Sequence, residues 1–377
     1  MYTVRRSPRQ MSPSTPVRAV LALLLGAALS SRAEAQGGLL FQGVTDLELW
    51  KTDSASGLVA RNNGHPGIAA RADVWSAFEP IRNLVFFAEG TVQAGPLRDQ
   101  RADGKFVKQA AVRYSPSDAI TIEAGKLRPI VGTFASRQLS FRNPLVGTPD
   151  GYATSYPYGG RIDGSAGIVD YRAGVVSLPL YRPGYVPDPG SAMRPAVGFG
   201  ITPVVGVRFG MSATKGAYLN DELGYAMPAG KDWRDYRQSI VAADAQVSWG
   251  YFEGHAELAH SVYDIEKRTP IKGLLYYLEP KYTLTPRLFI AGRYERNDYP
   301  FILPVNTNFW VANRVVFQDV ELGAGYRVGA TTLLKAGVRA DHWAPNDNPQ
   351  APHANGYSLA VQWSQTYDFL DLVTRKQ

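Results

Sequence analysis

Apolar and polar residues alternate with a period of two along much of this chain. Near the carboxyl end, Leu359, Val361 and Trp363 share one phase of the alternation, and the small or polar Ala360 and Gln362 occupy the other. Successive side chains of a β-strand point to opposite faces. The pattern therefore predicts strands that have one apolar face and one small or polar face.

The alternating segments form seven pairs, each with a short turn between its two members. The pairs are 68–79 with 83–93, 105–114 with 118–126, 160–170 with 174–181, 195–201 with 204–214, 236–248 with 251–262, 271–283 with 287–296, and 314–327 with 331–342. The third turn is placed at Arg172-Ala173 and the fourth at Thr202-Pro203. One strand at 39–50 precedes the pairs and one at 356–369 follows them, which predicts about sixteen strands.

The connections between the pairs are longer than the turns within them and are rich in Gly, Pro, Asn and Asp. Short turns at one rim and long loops at the other are typical of outer-membrane barrels, whose tilted strands need about ten residues to cross the bilayer. The chain after residue 35 contains no run of 18 apolar residues. Because lipid admits only helices and closed barrels, we predict an all-β, antiparallel, up-and-down transmembrane β-barrel.

The first 35 residues have the three-part pattern of a cleaved export signal. Arginines precede an apolar run at 19–29, and Ala33-Glu34-Ala35 has the small-x-small spacing of a cleavage site. We therefore expect a signal peptide at 1–35, a barrel at 36–377 and residence in the outer membrane, in contact with its lipid. Cleavage would remove five arginines and one glutamate and lower the net charge from +7 to +3, so nucleic-acid binding is not indicated.

The leader, the strand number and one long third loop together resemble the Gram-negative outer-membrane porin superfamily. In porins with this strand number the third loop folds inward, so the resemblance implies that 127–159 narrows the channel. The run at 124–129, followed by a long loop and Gly160-Arg161, is similar to phosphate-selective-type porins, whose corresponding strand carries Gly and a basic residue before a similar loop. The resemblance implies a passive, water-filled channel for small hydrophilic solutes or anions, and it implies a homotrimer.

Five cations in and beside the third loop are the candidates for a pore constriction: Lys126, Arg128, Arg137, Arg142 and Arg161. The loop holds a single acid, Asp150. Fixed positive charge in a narrow, partly desolvated pore favours anions. The alternative is that these cations pair with carboxylates of the inner face and only hold the loop in place. The other charged residues expected on the inner face have both signs, which does not indicate strong selectivity.

Signals for catalysis, cofactors or metals are poor. The chain has no cysteine, which excludes thiolate metal sites and a cysteine nucleophile. It contains no HExxH, GxSxG or phosphate-binding loop motif. His255 and His260 are five residues apart on a predicted strand, so they face opposite sides and cannot share a metal. We predict that the chain is not an enzyme and has no cofactor.

Three other classes of protein remain compatible with the pattern. A structural or adhesive outer-membrane barrel would have a plugged lumen and loops that bind a partner, and the 33 residues of 127–159 are long enough to form such a plug. A lipid hydrolase with a site at the barrel rim and a soluble, secreted β-rich binding protein are the other two. The sequence does not separate a constricted lumen from a plugged one.

Overall fold

The computed structural model describes residues 38–54, 62–95, 104–149, 156–177, 192–219, 227–266, 269–305, 309–345 and 354–370. Within these ranges the chain forms sixteen strands: β1 (Leu39–Thr52), β2 (Gly67–Ile81), β3 (Leu84–Ala94), β4 (Gly104–Ser117), β5 (Ile120–Lys126), β6 (Tyr158–Ala166), β7 (Val169–Val176), β8 (Arg194–Val204), β9 (Val207–Ala217), β10 (Arg237–Trp249), β11 (Phe252–Tyr263), β12 (Ile271–Thr283), β13 (Leu288–Val305), β14 (Phe309–Arg327), β15 (Thr332–Pro345) and β16 (Ala354–Asp368). No helix in these ranges has the length and hydropathy needed to cross a membrane.

The strands close into a single barrel. Each strand pairs antiparallel with its neighbours in sequence, and β1 also pairs with β16. At this seam Leu47 stands opposite Trp363, and Leu49 stands opposite Val361. Closure gives every strand a hydrogen-bonded neighbour on both sides, as a sheet in lipid requires. The predicted all-β, up-and-down barrel of sixteen strands is confirmed.

The two faces of the wall differ in polarity as the alternation predicted. On β16, Leu359 and Val361 point outward and are 46% and 50% exposed, whereas Ser358 and Gln362 point inward and are 3% and 1% exposed. Large apolar side chains are exposed in the same way around the outside of the barrel. An apolar surface of this extent is stable in lipid and not in water. The barrel therefore presents an apolar belt to a bilayer.

The inner face carries charged side chains that are buried in pairs. Asp73 is fully buried on β2, where it contacts Lys108 and lies 3.2 Å from Arg71. Arg71 also pairs with Asp46 of β1 at 2.8 Å. Isolated buried charges are very costly, so opposite charges on the same strand and on nearby strands compensate each other. These pairs link β2 to its neighbour β1 and, across β3, to β4 on the water-facing side of the wall.

The third hairpin turn lies at Gly167-Ile168, so its prediction at Arg172-Ala173 was wrong. Gly167 has φ +60°, a left-handed conformation that glycine adopts without strain. Because the turn comes five residues earlier than predicted, Arg172 lies within β7. Its side chain therefore points into the lumen instead of lying at the rim.

The fourth hairpin turn lies at Val205-Gly206, so its prediction at Thr202-Pro203 was also wrong. Gly206 has φ +87°, and a Cβ atom there would lie 2.3 Å from the carbonyl oxygen of Ser248. The backbone needs a glycine at this position, and it marks the turn more strongly than the proline does.

Short turns follow the even-numbered strands, and longer connections follow the odd-numbered strands except β13. β13 ends at Val305 and β14 begins at Phe309, so both strands extend beyond their predicted ends at 296 and 314, and the long connection predicted between them was wrong. This asymmetry between the two rims agrees with the prediction from the sequence. The predicted signal peptide at 1–35 lies outside the described residues, as does Asp150 of the third loop.

Candidate functional site

The candidate functional site is the lumen and the long connection inside it, residues 127–157 between β5 and β6, here called loop 3. The structure describes 127–149 and 156–157 of this loop. Its two ends are held together at its base, where the Leu127 amide donates to the carbonyl oxygen of Pro157 at 2.8 Å. Loop 3 therefore leaves the wall and returns to it at one place.

The first part of loop 3 packs on the inner face through apolar side chains. Ile130 and Val131 are 1% and 4% exposed, and they share a buried cluster with Val176, Ala196 and Ile240. These wall residues come from β7, β8 and β10, where the alternation predicts inward positions. A loop that extended into solvent would leave these side chains exposed to water. Their burial against the wall therefore confirms that the loop folds inward.

The next part of loop 3 forms a 3₁₀ turn, Phe134–Arg137, against β11 and β12. Phe134 is fully buried and packs edge-on to the ring of Tyr277, with 6.0 Å between ring centroids. Just before the turn, the backbone amide and hydroxyl of Thr133 both donate to the carboxylate of Glu257, at 3.1 and 2.6 Å. This carboxylate binds the loop and is not free to line a channel.

Arg137 ends the 3₁₀ turn and is anchored to β12. Its Nη1 lies 2.5 Å from Oε1 of Glu279, and its Nη2 donates to the hydroxyl of Tyr277 at 2.9 Å. Burial alone would lower the pKa of Arg137, but the neighbouring Tyr277 and Glu279 raise it above the usual value. Arg137 therefore stays charged and acts as a fixed cation in an ion pair.

Two buried cations of the wall hold the far end of loop 3. Lys335 of β15 is 2% exposed, and its amine donates to three loop carbonyl oxygens, of Ser140 at 2.9 Å, Asn143 at 3.1 Å and Leu145 at 2.8 Å. Three acceptors use all three donors of an ammonium group. The carbonyl groups thereby satisfy the donors of a buried charge that forms no direct ion pair among the described residues.

The second anchoring cation is Arg293 of β13. It donates to Glu279 at 2.6 Å and to Glu321 at 3.3 Å, and it also reaches the loop at the side-chain oxygen of Asn143 and the carbonyl oxygen of Gly147. The Gly147 amide donates to Glu321. Wall and loop thus form one connected polar network, and such a network fixes a single arrangement when its members are satisfied.

Loop 3 also contacts the strands at the closing seam. Val146 shares a buried cluster with Trp50 of β1 and Ala360 of β16. The rings of Phe141 and Trp75 of β2 have centroids 6.1 Å apart. Together with its contacts to β7 through β15, these place loop 3 against most of the inner circumference of the barrel.

The structure brings two of the five predicted cations together at the base of loop 3. Arg161 donates from Nη1 to the carbonyl oxygen of Arg128 at 3.1 Å. Arg161 also pairs with Glu123 at 2.6 Å and Asp163 at 2.8 Å. The Arg128 side chain is 36% exposed and only approaches Glu89, at 3.9 Å. Of the two, Arg128 has the weaker ion pairing and the greater access to water.

Arg142 lies on a different part of loop 3 and is exposed. Its Nη1 donates to the carbonyl oxygen of Ser136 at 3.2 Å, and its guanidinium lies 5.5 Å from the ring centroid of Phe141. No carboxylate of the described residues forms an ion pair with Arg142. Among the four arginine candidates, Arg142 is therefore the one whose charge is least compensated.

Lys126 lies on the outside of the wall, apart from each of the four arginine candidates. It lies at the end of β5, in the outward phase that it shares with Ile122 and Ala124. Its amine donates to the carbonyl oxygen of Val107 at 2.6 Å and stands 5.7 Å from the ring centroid of Tyr158. Spacing along the sequence put Lys126 next to the loop, but the strand alternation directs it away from the lumen.

A recess of about 420 Å³ opens in the turn-side half of the lumen and reaches the base of loop 3 at Arg161. Its charged lining residues are Arg113, Asp118, Glu123, Arg161, Asp163, Asp170 and Arg172. Arg172 was not predicted as a lumen residue, because the third turn was misplaced. Its Nε and Nη2 are buried without a hydrogen-bond partner. The positive-φ Gly167 was the signal that could have located it.

No protein-family model matches the chain, and no curated protein matches it significantly. Solved structures do match its fold. Outer-membrane-expressed OmpT of Vibrio cholerae has a TM-score of 0.58 at 12% identity and covers 89% of this chain and 99% of its own. An anion-selective porin from Comamonas acidovorans has a TM-score of 0.58 at 11% identity, with 88% and 100% covered. OmpF of Salmonella typhi, in complex with daunomycin, has a TM-score of 0.59 at 12% identity, with 88% and 97% covered.

These likenesses cover nearly the whole barrel and define the class of the fold. The chain has the fold of Gram-negative outer-membrane porins, so the predicted resemblance is confirmed at the level of the fold. Closed barrels with an apolar belt, short turns at one rim and longer loops at the other belong to the outer membrane, which is the predicted location.

Proposed function

We propose that this chain is an outer-membrane porin that lets small hydrophilic solutes diffuse passively through a constriction formed by loop 3. The observation that supports this most is the anchoring of loop 3 inside the barrel by Lys335, Arg293 and Arg137. A loop held by this many buried bonds keeps one position and sets one pore size. The polar recess that reaches Arg161 supports a water path from the turn side.

The anion preference in this proposal is mild. Arg142 and Arg128 are the exposed cations of loop 3, and they are the candidates to attract anions. Arg137 and Arg161 are compensated by carboxylates, which favours an anchoring role for them. Lys126 has no part in the constriction under this proposal. The inner face carries both signs of charge, so a preference rests on these two arginines.

Liposome swelling tests the proposed solute class. Vesicles that contain the folded barrel should swell in isotonic small sugars at a rate that falls as the sugar becomes larger, because loop 3 fixes the size limit. Vesicles with heat-unfolded protein are the control. Equal, slow swelling of both would contradict the proposal.

A plugged barrel of structural or adhesive function is the second candidate. The contacts of loop 3 with most of the inner circumference favour it, because a loop that touches the seam and the opposite wall leaves less open cross-section. This candidate predicts a folded barrel without conductance. Binding of a partner by the loops would then survive closure of the lumen.

Three further features belong to the proposal. Cleavage after Ala35 is tested by amino-terminal sequencing of the protein from membranes.

A homotrimer is supported by a likeness to an in-vitro folded OmpT of Vibrio cholerae described in a trimer form, and cross-linking in the membrane tests it. The absence of catalysis is tested by an esterase assay on the purified barrel.

A further inference from the structure

Four basic side chains lie on the outside of the barrel, at the loop ends of four consecutive strands. They are Lys215 on β9, Arg237 on β10, His260 on β11 and Lys272 on β12, and all four are exposed. We call them the basic rim. Each lies in the outward phase of its strand, the phase of Met211, Val241, Leu258 and Leu274, which are 46%, 48%, 45% and 38% exposed.

The strand register brings the members of the basic rim close to one another. Lys215 stands opposite Ser239, Ser239 opposite Val262, and Val262 opposite Lys272. Lys215 and Lys272 therefore end one cross-strand row, about 14 Å apart at the usual strand spacing. Arg237 lies two residues from Ser239 toward the loops, and His260 lies two residues from Val262 toward the turns. At this width the patch can contact one lipid headgroup together with the headgroups beside it.

Within the part of the chain that the structure describes, the three strongest bases of the basic rim have no carboxylate partner. Lys215, Arg237 and Lys272 form no ion pair with any carboxylate of the described residues, in contrast to the charges of the inner face. Asp264 is exposed nearby, and its backbone amide donates to the carbonyl oxygen of Arg237, but its carboxylate is beyond ion-pair distance. As far as the described residues are concerned, this positive charge is open to a partner outside the chain.

The opposite ends of the same strands have a different chemistry. There, outward or turn positions hold Trp249, Tyr251 and Tyr282, which are 84%, 69% and 44% exposed. Aromatic side chains suit either membrane interface, whereas a group of uncompensated cations suits an interface with anionic headgroups. The asymmetry assigns the anionic partner to the loop side alone, which faces the outer leaflet in barrels of this type.

We propose that the basic rim binds the phosphate groups of anionic lipids in the outer leaflet. The apolar wall below it contacts acyl chains, and the ammonium and guanidinium groups above it meet the headgroups at the same depth. The proposal requires only that the barrel resides in a membrane, so it does not depend on whether the lumen conducts.

Native mass spectrometry of the folded, full-length mature barrel in detergent tests the proposal. The probe is a short-chain phosphatidic acid, and phosphatidylcholine of the same chain length is the zwitterionic comparison. The test variant is K215Q/R237Q/K272Q. The matched control R82Q/R287Q/R327Q loses the same charge at exposed positions of the opposite, turn-side rim. We expect the test variant to bind phosphatidic acid at least about tenfold more weakly than wild type, and we expect the control to bind like wild type.

Two results would overturn the proposal. One is equal binding of phosphatidic acid by wild type and the test variant. The other is displacement of the lipid by inorganic phosphate at similar concentration, which would indicate a free-anion site. Single-channel conductance of the test variant should equal that of wild type, so a failure of the proposed pore would be recognised separately.

Discussion

At the scale of single residues, the backbone at the entrance to loop 3 depends on Gly125. Its φ is +134°, and a Cβ atom there would lie 2.3 Å from the carbonyl oxygen of Ala110 and 2.7 Å from the Cα atom of Ala111. Both neighbours are backbone atoms of β4 and cannot move aside. The sequence predicted that this glycine precedes the loop, and the register explains why no larger residue fits.

Gly125→Ala should therefore destabilise the barrel by about 1–3 kcal/mol, through strain at a conformation that is rare outside glycine. Urea titration of the refolded barrel in lipid, followed by the shift of the folded band on unheated gels, measures this free energy of unfolding. Gly160→Ala is the matched control on the neighbouring strand, because its Cβ would have only an ordinary contact of 3.6 Å. Equal stability of the two variants would contradict the account of Gly125.

The charge of Arg142 should affect the ion selectivity of the pore. Arg142→Gln removes an exposed cation that has no carboxylate partner among the described residues, so the permeability ratio should move toward cations, by about two- to fivefold for one charge a few ångströms from the ion path. Reversal potentials in a salt gradient give this ratio. Lys126→Gln removes the same charge on the outward side of β5 and should leave the ratio unchanged. A shift with Lys126→Gln alone would reverse the assignment of the two residues.

At the scale of elements, loop 3 is fastened to the wall by Lys335. Lys335→Met preserves most of the side-chain volume but leaves the carbonyl oxygens of Ser140, Asn143 and Leu145 without their donor. Each lost bond to a charged group costs about 1.5–3 kcal/mol, so the far end of the loop should detach for part of the time. Single-channel recordings should then show larger and noisier openings than wild type. Lys281→Met, which breaks a pair with Glu253 and leaves the loop anchors intact, should keep the wild-type conductance.

The network that joins loop 3 to β12 and β13 is centred on Glu279. Glu279→Gln leaves the buried Arg293 and Arg137 without their shared carboxylate, which should cost about 3–5 kcal/mol of barrel stability. Glu253→Gln breaks a pair in which Glu253 is 42% exposed, so it should cost at most about 1 kcal/mol. Unfolding in urea compares the two variants directly. Equal losses would mean that the pair on Glu279 is no more important than an exposed one.

The same elements show how far prediction from the sequence could go. Strand existence and phase followed from alternation, because one face meets lipid and the other meets water. Two turns were predicted at the wrong positions, because an arginine and a proline were taken as the turn residues instead of Gly167 and Gly206. The backbone at both turns requires the positive φ that these glycines have. The partners of loop 3 could not be predicted, because Lys335 and Arg293 are about 190 and 150 residues from the loop atoms they bind. Such pairs depend on how the closed barrel brings distant strands to the loop.

At the scale of the whole molecule, the strand count and closure were predictable because each rests on a repeated signal. Sixteen strands with one polar face enclose a lumen, and the longest connection folds into it. Whether that connection narrows the lumen or closes it depends on how much of the cross-section its side chains fill together, Arg128 and Arg142 among them. No local pattern in the sequence specifies this combined arrangement.

Single-channel recording of the purified barrel in a planar bilayer, under a salt gradient, tests whether loop 3 leaves a narrow, water-filled path through the barrel. With such a path we expect stepwise, ohmic currents of constant size, and a reversal potential whose sign indicates a mild preference for anions. A folded, heat-modifiable barrel that inserts and conducts no current would contradict the existence of the path and would favour a plugged barrel.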